Sequence, residues 1–208
     1  VTFTYDEAGN VLTRTDRLGR ETQYTHDALN RLRLTEFLTD GTSETYAYDD
    51  YNDPVEVANA AVTYTYVYDN RHRMTSKTDS RLNRSLSWVY DDVGNVIQKT
   101  DYQDEITYFQ YDSTNRLVAE RNQAYLQVSY HYDPAGRLLN RNLSNRARTD
   151  YSYDDDNRLT GLTNVSAGDK LNQSQTYAHD RLGNILTITD AAGATTFTYD
   201  PLYRLTSA

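Results

Sequence analysis

Residues 130–138 read Tyr-His-Tyr-Asp-Pro-Ala-Gly-Arg-Leu, and variants of this stretch recur ten times along the 208-residue chain. In each copy, an aromatic residue lies two positions before a Tyr-Asp or His-Asp pair. The pair begins at Tyr5, His26, Tyr48, Tyr68, Tyr90, Tyr111, Tyr132, Tyr153, His179 and Tyr199, with spacings of 20 to 26 residues. A fixed period of about 20–50 residues is typical of repeat proteins, in which each unit buries its apolar face against its neighbours. The sequence therefore predicts one array of about ten repeats over residues 1–208.

The aromatic residue before each pair predicts a strand. Alternate residues of a strand point to the same face, so each repeat places two rings, or a ring and a His, side by side. We expect these rings to stack from one hairpin to the next as an aromatic ladder. Its members are Phe3, Tyr24, Tyr46, Tyr66, Trp88, Phe109, Tyr130, Tyr151, Tyr177 and Phe197.

A tight turn follows each pair, with the pattern Asp-x-x-Gly or Asp-x-x-Asn. The Asp carboxylate can accept the backbone N–H two residues on, and a residue in the left-handed region then closes the hairpin through a bulge. Gly and Asn tolerate that conformation best, and they fill eight of the ten closing positions. The predicted left-handed residues are Gly9, Asn30, Asn52, His72, Gly94, Asn115, Gly136, Asn157, Gly183 and Tyr203.

A second strand opens with Asn or Arg and an aliphatic residue, and Thr-Asp marks a second turn at four places, for example Thr15-Asp16. Two turns per repeat predict two antiparallel strands per repeat. The predicted fold class is therefore all-β: a continuous antiparallel hairpin meander of nearly twenty strands, curled or spiralling because strand twist accumulates.

Two repeats depart from the pattern. Asp53-Pro54 replaces the Arg-aliphatic step, and because Pro cannot donate to a sheet ladder, we expect an interrupted or bulged strand there. The repeat that begins at Tyr153 carries five extra residues, which we expect to form a loop protruding around Gly168-Asp169. Such a loop could bind a partner, although a tolerated insertion is the simpler interpretation.

Composition bounds the function. Twenty tyrosines provide apolar ring faces with a polar hydroxyl, and fourteen of them occupy the two repeat positions. The net charge of −9 and the pI near 4.8 argue against nucleic-acid binding. The chain has no cysteine and no apolar stretch of membrane-spanning length. Repeats reach both ends without obvious capping units, so we expect a segment of a longer array whose free sheet edges could self-associate.

No catalytic, cofactor or metal motif is recognisable. Three of the four histidines have a repeat role: His26 and His179 replace the pair tyrosine, and His72 occupies a left-handed position. The acidic run Asp154-Asp155-Asp156 lies at a turn and lacks the spacing of a calcium loop. We therefore predict no cofactor, no metal and no enzymatic activity.

The sequences Tyr-Asp-Pro-Ala-Gly-Arg-Leu (residues 132–138) and Tyr-Asp-Asp-Asp-Asn-Arg-Leu (residues 153–159) resemble the YD repeat of the RHS family. The resemblance covers essentially the whole chain. The residues that carry the structural motif are Tyr5, Asp6, Gly9, Tyr48, Asp49, Tyr68, Asp69, Tyr90, Asp91, Gly94, Tyr111, Asp112, Arg116, Tyr132, Asp133, Gly136, Arg137, Tyr153, Asp154, Arg158, Asp180, Gly183, Tyr199, Asp200 and Arg204.

The resemblance implies a wall segment of a hollow β-shell, as in bacterial polymorphic and Tc toxins and in teneurins. It implies, as partners, the rest of a parent shell and an enclosed C-terminal toxin domain, with secretion or delivery to the cell surface by a bacterium. The self-cleaving region of the bacterial family members has no match in this chain. A carbohydrate-binding or adhesion module that uses the aromatic and Asp side chains is the alternative function.

Overall fold

The structure is a computed structural model that describes residues 1–123 and 127–207, and within them every regular element is a β-strand. The chain divides into two compact halves, the N-half Val1–Ile106 and the C-half Thr107–Ala208. No helix that could cross a membrane occurs in the described ranges. The strands of the N-half are β1 Thr2–Tyr5, β2 Val11–Thr15, β3 Glu21–His26, β4 Leu32–Phe37, β5 Thr42–Tyr48, β6 Pro54–Asn59, β7 Thr63–Tyr68, β8 Met74–Asp79, β9 Arg84–Tyr90 and β10 Val96–Thr100.

The C-half continues the same alternation of strand and turn, and its first strand begins at Ile106, the last residue of the N-half. Its strands are β11 Ile106–Tyr111, β12 Leu117–Asn122, β13 Gln127–Tyr132, β14 Leu138–Leu143, β15 Arg148–Tyr153, β16 Leu159–Val165, β17 Leu171–His179, β18 Ile185–Asp190, β19 Gly193–Thr196, β20 Thr198–Tyr199 and β21 Leu205–Ser207. Within each half, consecutive strands from β1 to β10 and from β11 to β19 pair antiparallel, and β20 pairs with β21. The predicted antiparallel meander of hairpins is confirmed.

All ten hairpins share one register. The Tyr or His of each pair lies directly opposite the first aliphatic residue or Pro of the next strand, as in Tyr90 opposite Val96, and the register shifts beside it. This shift is the predicted bulge. All ten predicted left-handed residues have positive φ, from 61° at His72 and Tyr203 to 104° at Gly94. The turn prediction is confirmed at every repeat.

Burial alternates along the strands but is shallow. In β5, Tyr46 and Tyr48 are half-buried while Thr45 and Ala47 are exposed. Within the described ranges, no large side chain is fully buried, and the buried hydrophobic residues are Val62, Ala119, Val128 and Val165. A dry core therefore contributes little to these sheets, and hydrogen bonds and half-buried contacts must contribute much of the stability.

The strand at Pro54 is bulged, as one of the two expected forms, and it is not interrupted. β6 begins at Pro54, which lies opposite Tyr48 across the bulge that every other hairpin also has. Pro is tolerated as the first residue of a strand because no preceding ladder hydrogen bond is lost there.

The five extra residues do not form a protruding loop, so that expectation is wrong. They lengthen β17 to nine residues, and the five-residue turn 166–170 joins β16 to β17 with the Ser166 N–H donating to the Lys170 carbonyl at 2.9 Å. Asp169 supplies the left-handed residue at φ 57°. A longer hairpin can satisfy the backbone groups of the inserted residues, which an irregular loop would leave to solvent.

Candidate functional site: the contacts that join the repeats

Each Tyr-Asp turn, defined as the five residues from the Asp of the pair onward, is built around that Asp. In all ten turns, one carboxylate oxygen accepts the backbone N–H four residues on, at 2.8–3.1 Å. The N–H two residues on donates to the same oxygen, for example from Ala8 to Asp6 at 3.0 Å. The carboxylate thus satisfies backbone donors that the tight turn would otherwise leave unpaired.

The second carboxylate oxygen holds the side chain of the fifth turn residue. In nine turns this residue is Arg or Asn, and its Nε or Nδ2 donates to Oδ2 at 2.6–2.9 Å. Hydrogen bonds to the ionised form lower a carboxyl pKa. The hydrogen bond from the Arg73 side chain lowers the pKa of Asp69 to about 2, and the backbone N–H of Arg116 is the main cause of a low pKa at Asp112.

The pair tyrosine connects its repeat to the preceding one. Its hydroxyl donates to the backbone carbonyl of the residue that opens the preceding repeat's second strand. This bond, at 2.7–2.9 Å, joins Tyr48 to Leu32, Tyr68 to Pro54, Tyr90 to Met74, Tyr132 to Leu117 and Tyr199 to Ile185.

The turn Arg connects its repeat to the following one. Its guanidinium carbon lies 4.6–5.1 Å from the ring centroid of the next pair tyrosine, in Arg31 over Tyr48, Arg73 over Tyr90, Arg116 over Tyr132 and Arg137 over Tyr153. Its Nη1 donates to the carbonyl of the next turn's Asp at 2.7–3.2 Å, from Arg31, Arg73, Arg137 and Arg158.

We call these contacts together, the tyrosine hydroxyl bond and the arginine contacts, the inter-repeat lock. The sequence analysis did not predict that the turn Arg contacts the tyrosine ring and the Asp carbonyl of the following repeat. The signal was its recurrence directly after the left-handed residue.

Where His replaces the pair tyrosine, the hydroxyl bond is lost. His26 has a buried Nδ1 with no hydrogen-bond partner. The first two repeats are instead joined by a hydrogen bond from Asn10 Nδ2 to Asn30 Oδ1 at 2.9 Å. At His179, the contact from Arg158 to the Asp180 carbonyl remains, at 2.7 Å.

The Asp53-Pro54 repeat has a lock of inverted charge. Asp53 occupies the position of the Arg, and its Oδ2 lies 2.6 Å from Nδ1 of His72, the left-handed residue of the next turn. In an ordinary pair of repeats, Arg31 donates to Asn52 at these two positions, at 2.9 Å. The acceptor and the potential donor have changed places while the contact between repeats is kept.

The aromatic ladder does not stack as predicted in the N-half. The aromatic ring contacts of the N-half are Phe3 with Tyr5, whose centroids lie 6.4 Å apart within one strand, and Tyr51 with His72, whose centroids lie 5.0 Å apart between two turns. Neither pair joins equivalent rings of consecutive hairpins. Equivalent strands are two strand spacings apart, about 10 Å, which exceeds the reach of ring–ring contacts at about 7 Å. The contacts that do join consecutive repeats are made at the pair tyrosines, over which the turn guanidinium groups lie.

The polar groups of the aromatic ladder also bond within the chain. Hydroxyls of the ladder bond to the chain's own side chains, from Tyr46 to Glu44 at 2.9 Å and from Tyr130 to Glu120 at 2.8 Å. Burial raises the pKa of both phenols. Among residues 1–123 and 127–207, no three His, Asp or Glu side chains converge as metal ligands would.

Two family models match the chain. The model described as Teneurin YD-shell matches residues 1–145, and the model described as RHS Repeat matches residues 132–169 and 173–208. Between them they cover every Tyr-Asp turn of both halves.

Solved structures with the same fold are toxin complexes. A crystal structure of TcdB2-TccC3 matches 98% of this chain at 18% identity with a TM-score of 0.62. The variant Tc holotoxin pore of Photorhabdus luminescens matches 98% at 18% identity with a TM-score of 0.66. The chain corresponds to 14% and 13% of those longer chains, and at this identity the match shows the fold alone.

Proposed function

Because the chain belongs to the RHS/YD-repeat family, whose members are structural shell repeats, we propose that it is a non-catalytic wall segment that encloses and protects a toxic or partly unfolded polypeptide for delivery. Its partners would be the remainder of a longer shell and an enclosed toxin domain. A secreted or surface-delivered bacterial protein would fit that role.

The observation that carries this proposal is the use of side chains in the inter-repeat lock. Hydroxyl, guanidinium and carboxylate groups could recognise a ligand. Here those of Tyr, Arg and Asp bond to neighbouring repeats instead. A repeat array gains stability from such nearest-neighbour contacts as a sum, so a thin wall can be extended without a core. The fold of the Tc toxin complexes supports the same role.

The carbohydrate-binding alternative is not favoured. Sugars stack on exposed ring faces, yet the rings of Tyr48, Tyr90 and Tyr132 lie half-buried beneath a guanidinium group, and their hydroxyls donate to backbone carbonyls. A ring held in this way presents neither a free face nor a free hydroxyl to a glycan.

Limited proteolysis of the full-length protein that contains these repeats tests the proposal. The double variant Arg73→Ala with Arg137→Ala removes one lock from each half, and we expect the sequence outside the repeats to become cleavable at least tenfold faster. Arg33→Ala, at an exposed strand position, is the matched control and should leave cleavage unchanged. Equal cleavage in all three proteins, with the repeats themselves still folded by circular dichroism, would disprove the enclosure.

A further inference from the structure

The lengthened strand β17 has an unpaired edge inside the chain. It pairs with β16 over Leu171–Thr176 but with β18 only over Thr176–His179. Residues 171–175 therefore have a strand partner on one side only within the described part of the chain. Five residues are left over, which is the number of extra residues in this repeat.

This edge carries none of the features that prevent edge-to-edge pairing. Edge strands are commonly protected by charged residues, by Pro or by being very short. Residues 171–175 read Leu-Asn-Gln-Ser-Gln, without charge, Pro or Gly, and Leu171, Asn172 and Gln173 are exposed. Beside them runs a groove of about 460 Å³ lined by Leu171, Gln173, Thr189 and Asp190, among others.

The edge is complementary to itself. If two copies pair antiparallel about a two-fold axis at Gln173, Leu171 of each copy faces Gln175 of the other and Asn172 faces Ser174. Asn, Gln and Ser side chains both donate and accept hydrogen bonds, so Asn172 can pair with Ser174, and Gln173 with its symmetry mate, across the interface. The incoming strand ends where β18 begins to pair, which brings Lys170 of each copy towards the exposed Asp190 of the other.

We propose that residues 171–175 are a self-association surface through which two copies of this chain pair edge to edge. Five residues from each side bury less than the roughly 1,000 Å² of a stable interface, so the dimer is weak and reversible. Pairing in this way adds strand β17 of one copy to the sheet of the other.

Engineered cysteines test the register directly, because the chain has no native cysteine. Under mild oxidation, Gln173→Cys places the new thiol opposite its symmetry mate, and we expect a disulfide dimer to form at least tenfold faster than with Gln175→Cys. The Gln175→Cys thiols are four residues apart along the paired strands and serve as the matched control. Equal rates for the two variants would overturn the two-fold register.

Sedimentation equilibrium tests the association without chemistry. Gln173→Lys places two charges face to face and should weaken dimerisation at least tenfold. Thr65→Lys is the matched control, because it adds the same charge to an exposed position of β7 that is paired with a strand on both sides. A synthetic peptide of residues 169–177 should compete with the dimer. A chain that stays monomeric at millimolar concentration, or one that binds unrelated extended peptides but not itself, would overturn the proposal.

Discussion

The two kinds of turn in each repeat differ in how uniform their geometry is along the chain. The Tyr-Asp turns share one geometry throughout, with an Asp accepting backbone donors and a left-handed residue three positions later. The distal turns, which join one repeat to the next strand along the chain, differ in length. The turn from Asp16 to Arg20 copies the Tyr-Asp geometry, whereas Asn59 bonds directly to Val62.

The difference follows from what each turn contacts. The Tyr-Asp turn supplies the Arg and the Asp carbonyl of the inter-repeat lock, so its backbone must place both groups within hydrogen-bond distance of a neighbour. The distal turns contact neighbouring repeats through different side chains, as in Arg148 Nη1 at 3.3 Å from Asp169 Oδ1, so they can use any of several turn types. Geometry is therefore uniform where every turn places the same two groups against a neighbour, and varied where it does not.

Acid should have the largest effect on this uniform geometry. Nine of the ten Tyr-Asp carboxyls have a pKa below the ordinary value, because side-chain and backbone hydrogen bonds favour the ionised form. A carboxyl whose pKa is lower in the folded than in the unfolded state stabilises the fold at any pH above its unfolded pKa of about 3.9. That stability is lost as the pH falls towards the folded-state pKa. The thermal midpoint should stay level from about pH 7 to 5 and fall steeply between about pH 4 and 2. A midpoint unchanged at about pH 2.5 would contradict the role of these carboxylates.

Removing one arginine should break a single lock. Arg73→Ala loses the contact over Tyr90 and the bonds to Asp69 and to the Asp91 carbonyl, and we expect a loss of about 2 kcal/mol in the free energy of unfolding. Urea denaturation measures it, with Arg33→Ala as the control that should change stability by less than about 0.5 kcal/mol. Equal losses in both variants would show that the arginine contacts contribute nothing.

The left-handed residue can be tested with two glycines. Gly94 has a φ of 104° and nothing within 4 Å of an added Cβ, so Gly94→Val should cost about 1–2 kcal/mol through backbone strain alone. Gly168 also lies in open space but not in the left-handed region, so Gly168→Val should be close to neutral. Thermal melting of both variants distinguishes strain from a general effect of valine, and similar melting curves would reject the turn assignment.

The tyrosine hydroxyl should contribute less. Tyr90→Phe removes the bond to the Met74 carbonyl and should cost about 1 kcal/mol, whereas Tyr51→Phe changes a ring that is 73% exposed and should be neutral. The same urea titration measures both. A neutral Tyr90→Phe would mean that water replaces the hydroxyl without loss.

The inverted lock allows the smallest effect to be measured. Asp53→Arg and His72→Asn each leave one partner of the 2.6 Å contact unmatched, and each should cost up to about 1 kcal/mol. The double variant restores the arrangement of Arg31 and Asn52 and should recover most of the loss. Strictly additive losses in the double-mutant cycle would show that the two positions are not coupled.

Local patterns made the strands and turns predictable from the sequence. Asp133 indicates a tight turn, Gly136 a left-handed residue, and Leu138 the start of a strand, and all three lie within seven residues. The register of the hairpin follows from these three preferences. The contacts between repeats were not predictable in the same way. Arg137 and Tyr153 are sixteen residues apart, and only the pairing of three strands brings the guanidinium group over the ring. Recurring rings on one face favoured the stacked ladder, although the two strands predicted for each repeat already separate equivalent rings by about 10 Å, beyond the reach of a ring–ring contact.

The inter-repeat lock has a direction along the chain, since the turn arginines that form it reach towards the C-terminal neighbour and the pair tyrosines that form it reach towards the N-terminal neighbour. A gene that gains or loses one whole repeat keeps each donor beside an acceptor, whereas a gain of half a repeat leaves an arginine facing a strand without a ring. Growth and shortening of such arrays should therefore proceed in steps of about 21 residues, and Asp53 and His72 should change only together.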